Sequence, residues 1–244
     1  MLNWVNIPLQ KAEVMQALQQ ALQHTFIDNL RSRHPNVALD SKLRGYVGEI
    51  AFRKWLKQNG ISNFSCNHAD EASGMDVDFL FYKNGEELHL ELKTSLIPDA
   101  DETFETLAEK RDIKLIRRQN QSIEALKGDV HVQLFFKQLR LRKDEWLKSR
   151  TNISDYLVLE RPPDGRAGSR EAQVAEKIYR EFAAYRYEKD TYLAAWIDKT
   201  TLIKQLEAKP PKRQKWKYGK REFWCCNLKR EAKSISQLID HLKD

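Results

Sequence analysis

Two predicted strands joined by a tight turn place acidic residues and a lysine at spacings that could bind a divalent cation. The segments read DVDFLFY and ELHLELKT, and KNGE between them contains Asn-Gly, a frequent two-residue turn of β-hairpins. Pairing outward from this turn puts Asp78 opposite Glu91 and Asp76 opposite Lys93. Because side chains alternate between the faces of a strand, these four residues are expected on one face and the apolar residues on the other.

Asp78 and Glu91 are predicted to face each other across the hairpin, and two facing carboxylates need a positively charged partner. Two carboxylates about 4 Å apart repel by about 4 kcal/mol at an effective dielectric constant of about 20, and like charges directly opposite each other destabilise a sheet. A divalent cation between the two carboxylates would turn the net interaction from repulsive to attractive. Carboxylate oxygens are ligands that Mg²⁺ prefers. The alternative is a solvated sheet face on which Lys93 softens the repulsion without any metal.

A predicted helix upstream carries a third acid. Its segment GYVGEIAFRKWL contains Gly45, Gly48 and Glu49. Glycine inside a helix costs up to about 1 kcal/mol relative to alanine, so both glycines are expected where the helix approaches another backbone closely. Glu49 could then reach the hairpin, although a surface glutamate on an amphipathic helix is the simpler interpretation. A shared site requires this helix on the same side of the sheet as the acids, and Glu91 outside the apolar interior.

The three elements together resemble the PD-(D/E)XK nuclease superfamily, which has the restriction-endonuclease-like fold. LELKTS is similar to the superfamily's (I/V)E(V/L)K(T/S) strand, and the order helix-Glu, strand-Asp, strand-Glu-x-Lys also agrees. The resemblance covers residues 41–95. No proline precedes the first aspartate, and two aspartates compete for one role. The predicted register favours Asp78, whereas a one-residue slip or a bulge would favour Asp76.

This resemblance implies a Mg²⁺-dependent endonuclease that cuts double-stranded DNA. Asp78 and Glu91 would hold the metal, Glu49 would contact it through water or bind a second ion, and Lys93 would orient the attacking water or stabilise negative charge. A type II restriction endonuclease, acting as a homodimer, is the interpretation we prefer. The alternatives are a structure-specific or repair nuclease of the same fold, and a DNA-binding module without catalysis.

Basic segments are the expected contacts to DNA phosphates. KPPKRQKWKYGKR, residues 209–221, contains seven cations and no acid, and its Pro-Pro pair predicts an extended loop. The residues expected to bind DNA are Lys212, Arg213, Lys215, Lys217, Lys220 and Arg221. A solvated surface loop is the alternative. Residues 137–150 form a second basic stretch, while His89 and His131 are expected to be structural strand residues.

The remaining pattern predicts an α/β protein with a mixed central β-sheet flanked by helices. Apolar periodicity indicates a helix over 9–34 and a second from Asp40 or Ser41, as its cap, to about Gln58. Another helical stretch follows to about residue 127. The further predicted strands are DVHVQLFF and TYLAAWID, with DYLVLE as a third candidate. RPPDGRAGSR is a predicted loop. The further predicted helices are EAQVAEKIYREFAAYRYEK and SISQLIDHL.

Length and composition suit one domain over residues 1–244, which the resemblance makes a nuclease domain, and the cysteine content favours a cytoplasmic location. We divide it into an N-terminal helical segment (1–40), a catalytic core (41–136), and a remainder with DNA-recognition elements (137–244). The apolar runs are far shorter than the roughly 20 residues of a membrane span, and the N-terminus lacks the pattern of a signal peptide. Three cysteines, two of them adjacent, predict no disulfide framework. The net charge of +7 suits a polyanionic partner.

Overall fold

The computed structural model describes residues 3–25, 35–66, 77–97, 102–113, 115–117, 122–137, 167–218 and 221–243. Its helices are α1 (Lys11–Thr25), α2 (Pro35–Gln58), α3 (Phe104–Lys110), α4 (Ala167–Glu181), α5 (Lys199–Glu207), α6 (Pro211–Gln214) and α7 (Ile235–Leu242). Its strands are β1 (Val5–Asn6), β2 (Phe64–Cys66), β3 (Phe79–Lys83), β4 (Glu86–Ile97), β5 (Leu115–Arg117), β6 (Val130–Lys137), β7 (Thr191–Asp198), β8 (Lys215–Tyr218) and β9 (Arg221–Trp224). No helix within these ranges is long and apolar enough to cross a membrane.

Six strands form a mixed sheet in the order β1-β7-β6-β4-β3-β2. The central pair β4 and β6 is parallel, and the other neighbours are antiparallel. Every residue of β6 is buried, as expected for a central strand covered on both faces. A smaller antiparallel sheet has the order β5-β9-β8. The predicted α/β class and mixed sheet are therefore confirmed.

Helices cover both faces of the large sheet, and two apolar cores result. Residues of α1, α2, α4 and α7 pack on one face with Leu90, Leu92 and Val132. Residues of α3 and α5, together with β9 of the small sheet, pack on the other face with Phe135 and Ile197. The alternation of side chains along β6 explains the division, because Val132 and Phe135 point to opposite faces.

The hairpin of β3 and β4 has the predicted turn and register. Asn84 and Gly85 have φ values of 51° and 80°, so both central residues adopt the positive φ that a type I′ turn requires. Phe79 pairs with Leu90, as expected. However, β3 begins at Phe79, so Asp78 lies just before the paired strand and does not form a ladder pair with Glu91.

The predicted start of the second helix is wrong. Asp40 and Ser41 do not cap α2 but lie inside it, because the helix begins at Pro35 and crosses the boundary predicted at residue 40. Proline suits a first helical turn, where its missing N–H has no partner to lose. Asp40 instead accepts hydrogen bonds from Tyr187 Oη at 2.6 Å and Arg44 Nε at 2.9 Å. It ties α2 to the segment before β7.

Other segments differ from the expected elements in part. The first predicted helix is α1, and residues 26–34 lie outside the described residues. Among the described residues of the helical stretch expected up to residue 127, α3 is the only α-helix, and it is followed by β5 and a short 3₁₀ turn. The predicted loop at 161–170 ends in the first turns of α4. The segment DYLVLE and residues 138–150 of the second basic stretch are outside the described residues.

The basic segment 209–221 is not the extended loop that its two prolines predicted. Residues Pro211–Gln214 form α6, and the chain then forms the hairpin of β8 and β9. Pro211 occupies the first helical position, where proline is tolerated. Of the basic residues in the described part of this segment, Lys212 and Arg213 therefore lie in α6 and Lys215 and Lys217 in β8, which is joined through β9 to β5.

Candidate active site

Asp78 lies immediately before β3, at the point where β4 continues without that partner. Beyond the last pair of Phe79 and Leu90, the Asp78 carboxylate accepts a hydrogen bond of 2.6 Å from the backbone N–H of Leu92. The carboxylate thus caps an N–H group that a longer β3 would have bonded through its backbone. Asp78 is therefore held beside the edge of β4, where side chains from both faces of the sheet can approach it.

Glu91 and Lys93 lie two residues apart on β4 and contact each other. Lys93 Nζ donates to Glu91 Oε1, and Glu91 Oε2 lies 3.3 Å from Nδ1 of His131 on β6. The side chain of Glu91 is 30% exposed, so it does not point into the apolar interior. The sequence interpretation required Glu91 to lie outside the apolar interior, and this requirement is met. The Glu91 carboxylate contacts the nitrogen-bearing side chains of both Lys93 and His131.

Glu49 approaches from the opposite face of the sheet. Gly48, the preceding residue on α2, packs against Thr94, which points to the face of β4 opposite to Glu91. The requirement that α2 lie on the same side of the sheet as the hairpin acids is therefore not met. Glu49 is nevertheless buried, and its negative charge acts on Asp78. A link between Glu49 and the hairpin acids depends on Asp78, which lies at the strand edge between the two faces.

The two glycines of α2 have different roles. A Cβ atom at Gly48 would lie 2.5 Å from Cγ2 of Thr94, whereas one at Gly45 would meet nothing within 4 Å. Gly48 thus allows the close approach of helix to strand that the sequence predicted. Gly45 is not needed for it, and that part of the prediction is wrong.

The acids influence one another electrostatically. Burial raises the pKa of Asp78 from 3.8 to about 6, and the negative charge of Glu49 adds to the effect, as does that of Glu91. Burial also acts to raise the pKa of Glu91, but the contact with His131 and the positive charge of Lys93 outweigh it and lower that pKa to about 2. At neutral pH the site therefore contains a firmly ionised Glu91 beside an Asp78 whose negative charge is costly to hold.

Strand β6 contributes two residues that sequence reasoning did not assign to the site. The parallel register places His131 beside Glu91 and Gln133 beside Lys93. Gln133 Nε2 donates to the Lys93 carbonyl at 2.9 Å and lies 3.1 Å from Ser95 Oγ. The polar residues at alternate positions of an otherwise apolar strand were the available signal. The partners of these polar residues could not be inferred from the sequence, because neither the β4 segment nor the β6 segment determines the pairing register of the two strands by itself.

The donor set suits Mg²⁺ only if water, alone or together with substrate, completes it. Within the described ranges, no group of three or more His, Cys, Asp or Glu side chains is arranged to hold a metal ion by itself. Mg²⁺ is commonly bound by one or two carboxylates together with water and substrate phosphates. Asp78 and Glu91, with Glu49 nearby, fit this second pattern.

The remaining predicted site residues are placed as follows. Asp76 and Lys220 lie outside the described residues, and of Arg221 only the backbone in β9 is described. Lys215 and Lys217 pair with Glu222 at 2.9 and 3.2 Å. The basic residues that are exposed on α6 are Lys212 and Arg213. A nearby carboxylate therefore partly neutralises the β8 lysines.

Comparison of this chain with protein-family models, with curated proteins and with solved structures finds no match. The class of fold is that of an α/β protein with a mixed six-stranded sheet. Any function must therefore be argued from the site itself.

Proposed function

We propose that the chain is a Mg²⁺-dependent endonuclease that hydrolyses phosphodiester bonds of double-stranded DNA. The proposal rests on one observation. Asp78, just before β3, accepts from the Leu92 N–H next to the Glu91 and Lys93 pair on β4, and the negative charge of Glu49 on α2 acts on Asp78. This set resembles that of the PD-(D/E)XK superfamily, and the proposed fold assignment is restriction-endonuclease-like.

The residues would share the work as follows. Asp78 and Glu91 would hold Mg²⁺, with Glu49 contacting it through water or binding a second ion. When bound, Mg²⁺ lowers the pKa of a coordinated water molecule and neutralises charge on the phosphate. Lys93 is held by Glu91, so its ammonium is fixed before the reaction begins. It would orient the attacking water or stabilise the developing negative charge, as preorganised cations do in phosphoryl chemistry.

Within this class we propose a type II restriction endonuclease that cuts at a specific sequence. Cutting both strands requires two active sites, so a homodimer is part of the proposal. Lys212 and Arg213 on α6, and the basic β8–β9 hairpin, would contact the DNA backbone. Their exposure and charge support this role, because phosphate contacts position a protein on DNA without reading its sequence.

The test is digestion of long unmethylated phage and plasmid DNA by the purified protein, with Mg²⁺ or with EDTA. Discrete fragments that EDTA abolishes support a restriction endonuclease. Cleavage confined to branched, flapped or mismatched substrates would instead identify a structure-specific or repair nuclease. A protein that shifts DNA in a gel but leaves every substrate intact would be a binding module, and the catalytic proposal would be abandoned.

Lys93→Ala is the matching mutational test. Loss of the ammonium is expected to lower the cleavage rate at least about 100-fold, the scale for removing one preorganised group, while folding and DNA affinity are retained. Lys57→Ala is the control, because Lys57 is an exposed lysine in the last turn of α2. A Lys93→Ala protein that cuts as fast as the wild type would remove the lysine from the mechanism.

A further inference from the structure

His131 lies inside the sheet with its ring next to the proposed metal ligand Glu91. The side chain is fully buried, and within the described part of the chain neither ring nitrogen makes a well-formed hydrogen bond. Nδ1 is 3.3 Å from Oε2 of Glu91. A buried polar ring is costly unless something uses its nitrogens, and the carboxylate is the group it faces.

The surrounding backbone is shaped to bring the two side chains together. Gly128 precedes β6, and a Cβ atom there would lie 3.1 Å from both Glu91 Cβ and His131 Cε1. Such a distance is tighter than ordinary packing, so only glycine leaves the pair undisturbed. The parallel register of β4 and β6 then sets Glu91 directly beside His131.

Glu91 is consequently held from two sides. Lys93 donates to Oε1, and His131 Nδ1 faces Oε2. A carboxylate has about four lone-pair sites, so each oxygen keeps one for another ligand. Side chains that hold a metal-binding carboxylate in this way orient it and tune its affinity for the ion.

We propose that His131 is a positioning residue that fixes the orientation of the Glu91 carboxylate for binding a divalent cation. The inference rests on the proposed function. It adds a residue of β6 to a site that the sequence motif confines to α2, β3 and β4. The atom that matters is Nδ1, because it is the ring nitrogen that faces Glu91.

The experiment measures Mn²⁺ binding to the DNA-free protein by isothermal titration calorimetry. Mn²⁺ takes the same oxygen ligands as Mg²⁺. His131→Gln places its amide near the position of Nε2, and His131→Asn places it near that of Nδ1. We expect His131→Gln to weaken Mn²⁺ binding about 10- to 100-fold, and His131→Asn to stay within about threefold of the wild type. His89→Asn is the control, because His89 pairs with Glu87 and not with Glu91.

A second variant tests the same role without changing the buried histidine, whose replacement could disturb folding. Gly128→Ala leaves both side chains intact but pushes them apart, and it should also weaken Mn²⁺ binding. Circular dichroism and thermal melts establish that each variant is folded.

Different results would refute the positioning role of His131 and the nuclease proposal. If the wild type binds Mn²⁺ and His131→Gln and Gly128→Ala bind it equally well or more tightly, the positioning role is refuted and the nuclease proposal stands. If the wild type binds no Mn²⁺ with or without DNA, both are refuted.

Discussion

Replacing Asp78 by asparagine is expected to stabilise the metal-free protein near neutral pH. The pKa of Asp78 is raised from 3.8 to about 6 by burial and by the charge of Glu49. A shift of about two units corresponds to about 3 kcal/mol. At pH 7 the carboxyl is ionised both in the folded and in the unfolded protein, so the folded state bears this penalty in full. Asparagine carries no charge, and its side-chain oxygen can still accept from the Leu92 N–H.

The sign of the pH dependence follows from linkage. Between pH of about 4 and about 6 the folded protein binds the proton more tightly than the unfolded chain does. The contribution of Asp78 to stability therefore falls as the pH rises through this window, and the loss is complete above it. The new amide N–H groups of asparagine need partners, which reduces the gain by about 1 kcal/mol. We expect Asp78→Asn to add between about 1 and about 3 kcal/mol at pH 7 and close to nothing below pH of about 4.

Urea denaturation across this pH range measures the effect. Asp240→Asn is the matched control, because Asp240 is exposed on α7 and a surface change of this kind should stay within about 0.5 kcal/mol. Mg²⁺ should raise the melting temperature of the wild type at pH 7 and should have little effect on Asp78→Asn. If Asp78→Asn is less stable than the wild type at pH 7, or if its gain does not depend on pH, the electrostatic description of the site is refuted.

Two further predictions concern α2 and α6. Gly48→Ala should destabilise the protein by about 1 to 3 kcal/mol, because its Cβ would lie 2.5 Å from Thr94. Gly45→Ala should stabilise it by up to about 1 kcal/mol in the same denaturation assay, and equal effects at the two positions would contradict the packing described here. Replacing both Lys212 and Arg213 by alanine should reduce the log–log slope of DNA affinity against salt by about 2, measured by fluorescence anisotropy. An unchanged slope would show that α6 contacts no phosphates.

Local signals in the sequence were sufficient for the hairpin and for several whole elements. The Asn-Gly turn determines the register of its two strands, because two-residue turns with positive φ leave few other pairings. Alternation of apolar and polar residues then separates Leu90 and Leu92 from Glu91. The predicted strands at β6 and β7 and the closing helix α7 are confirmed for similar reasons. Each depends on residues close together in the chain.

Boundaries were less predictable because tertiary contacts decide them. The sequence predicts that the second helix starts at Asp40 or Ser41, yet α2 begins at Pro35, and Asp40 inside it is held by Tyr187 from a distant segment. The Pro210-Pro211 pair predicts an extended loop, yet Pro211 begins α6 and the residues after α6 pair into a hairpin whose β9 is paired with β5. In both cases the local sequence is compatible with more than one secondary structure, and contacts with distant segments decide which one forms.

By itself, the sequence determined which residue types stand at the site and that Glu91 and Lys93 share a face, since neighbouring residues dictate both. Only the tertiary structure decided that β3 begins at Phe79. Asp78 therefore lies outside the strand, and its carboxylate accepts a hydrogen bond from the Leu92 N–H at the edge of β4. It also placed α2 across the sheet and His131 against Glu91. The physical reason is that the parallel pairing of β4 with β6 joins segments about 40 residues apart, and its register is set by the packing of two opposite apolar cores.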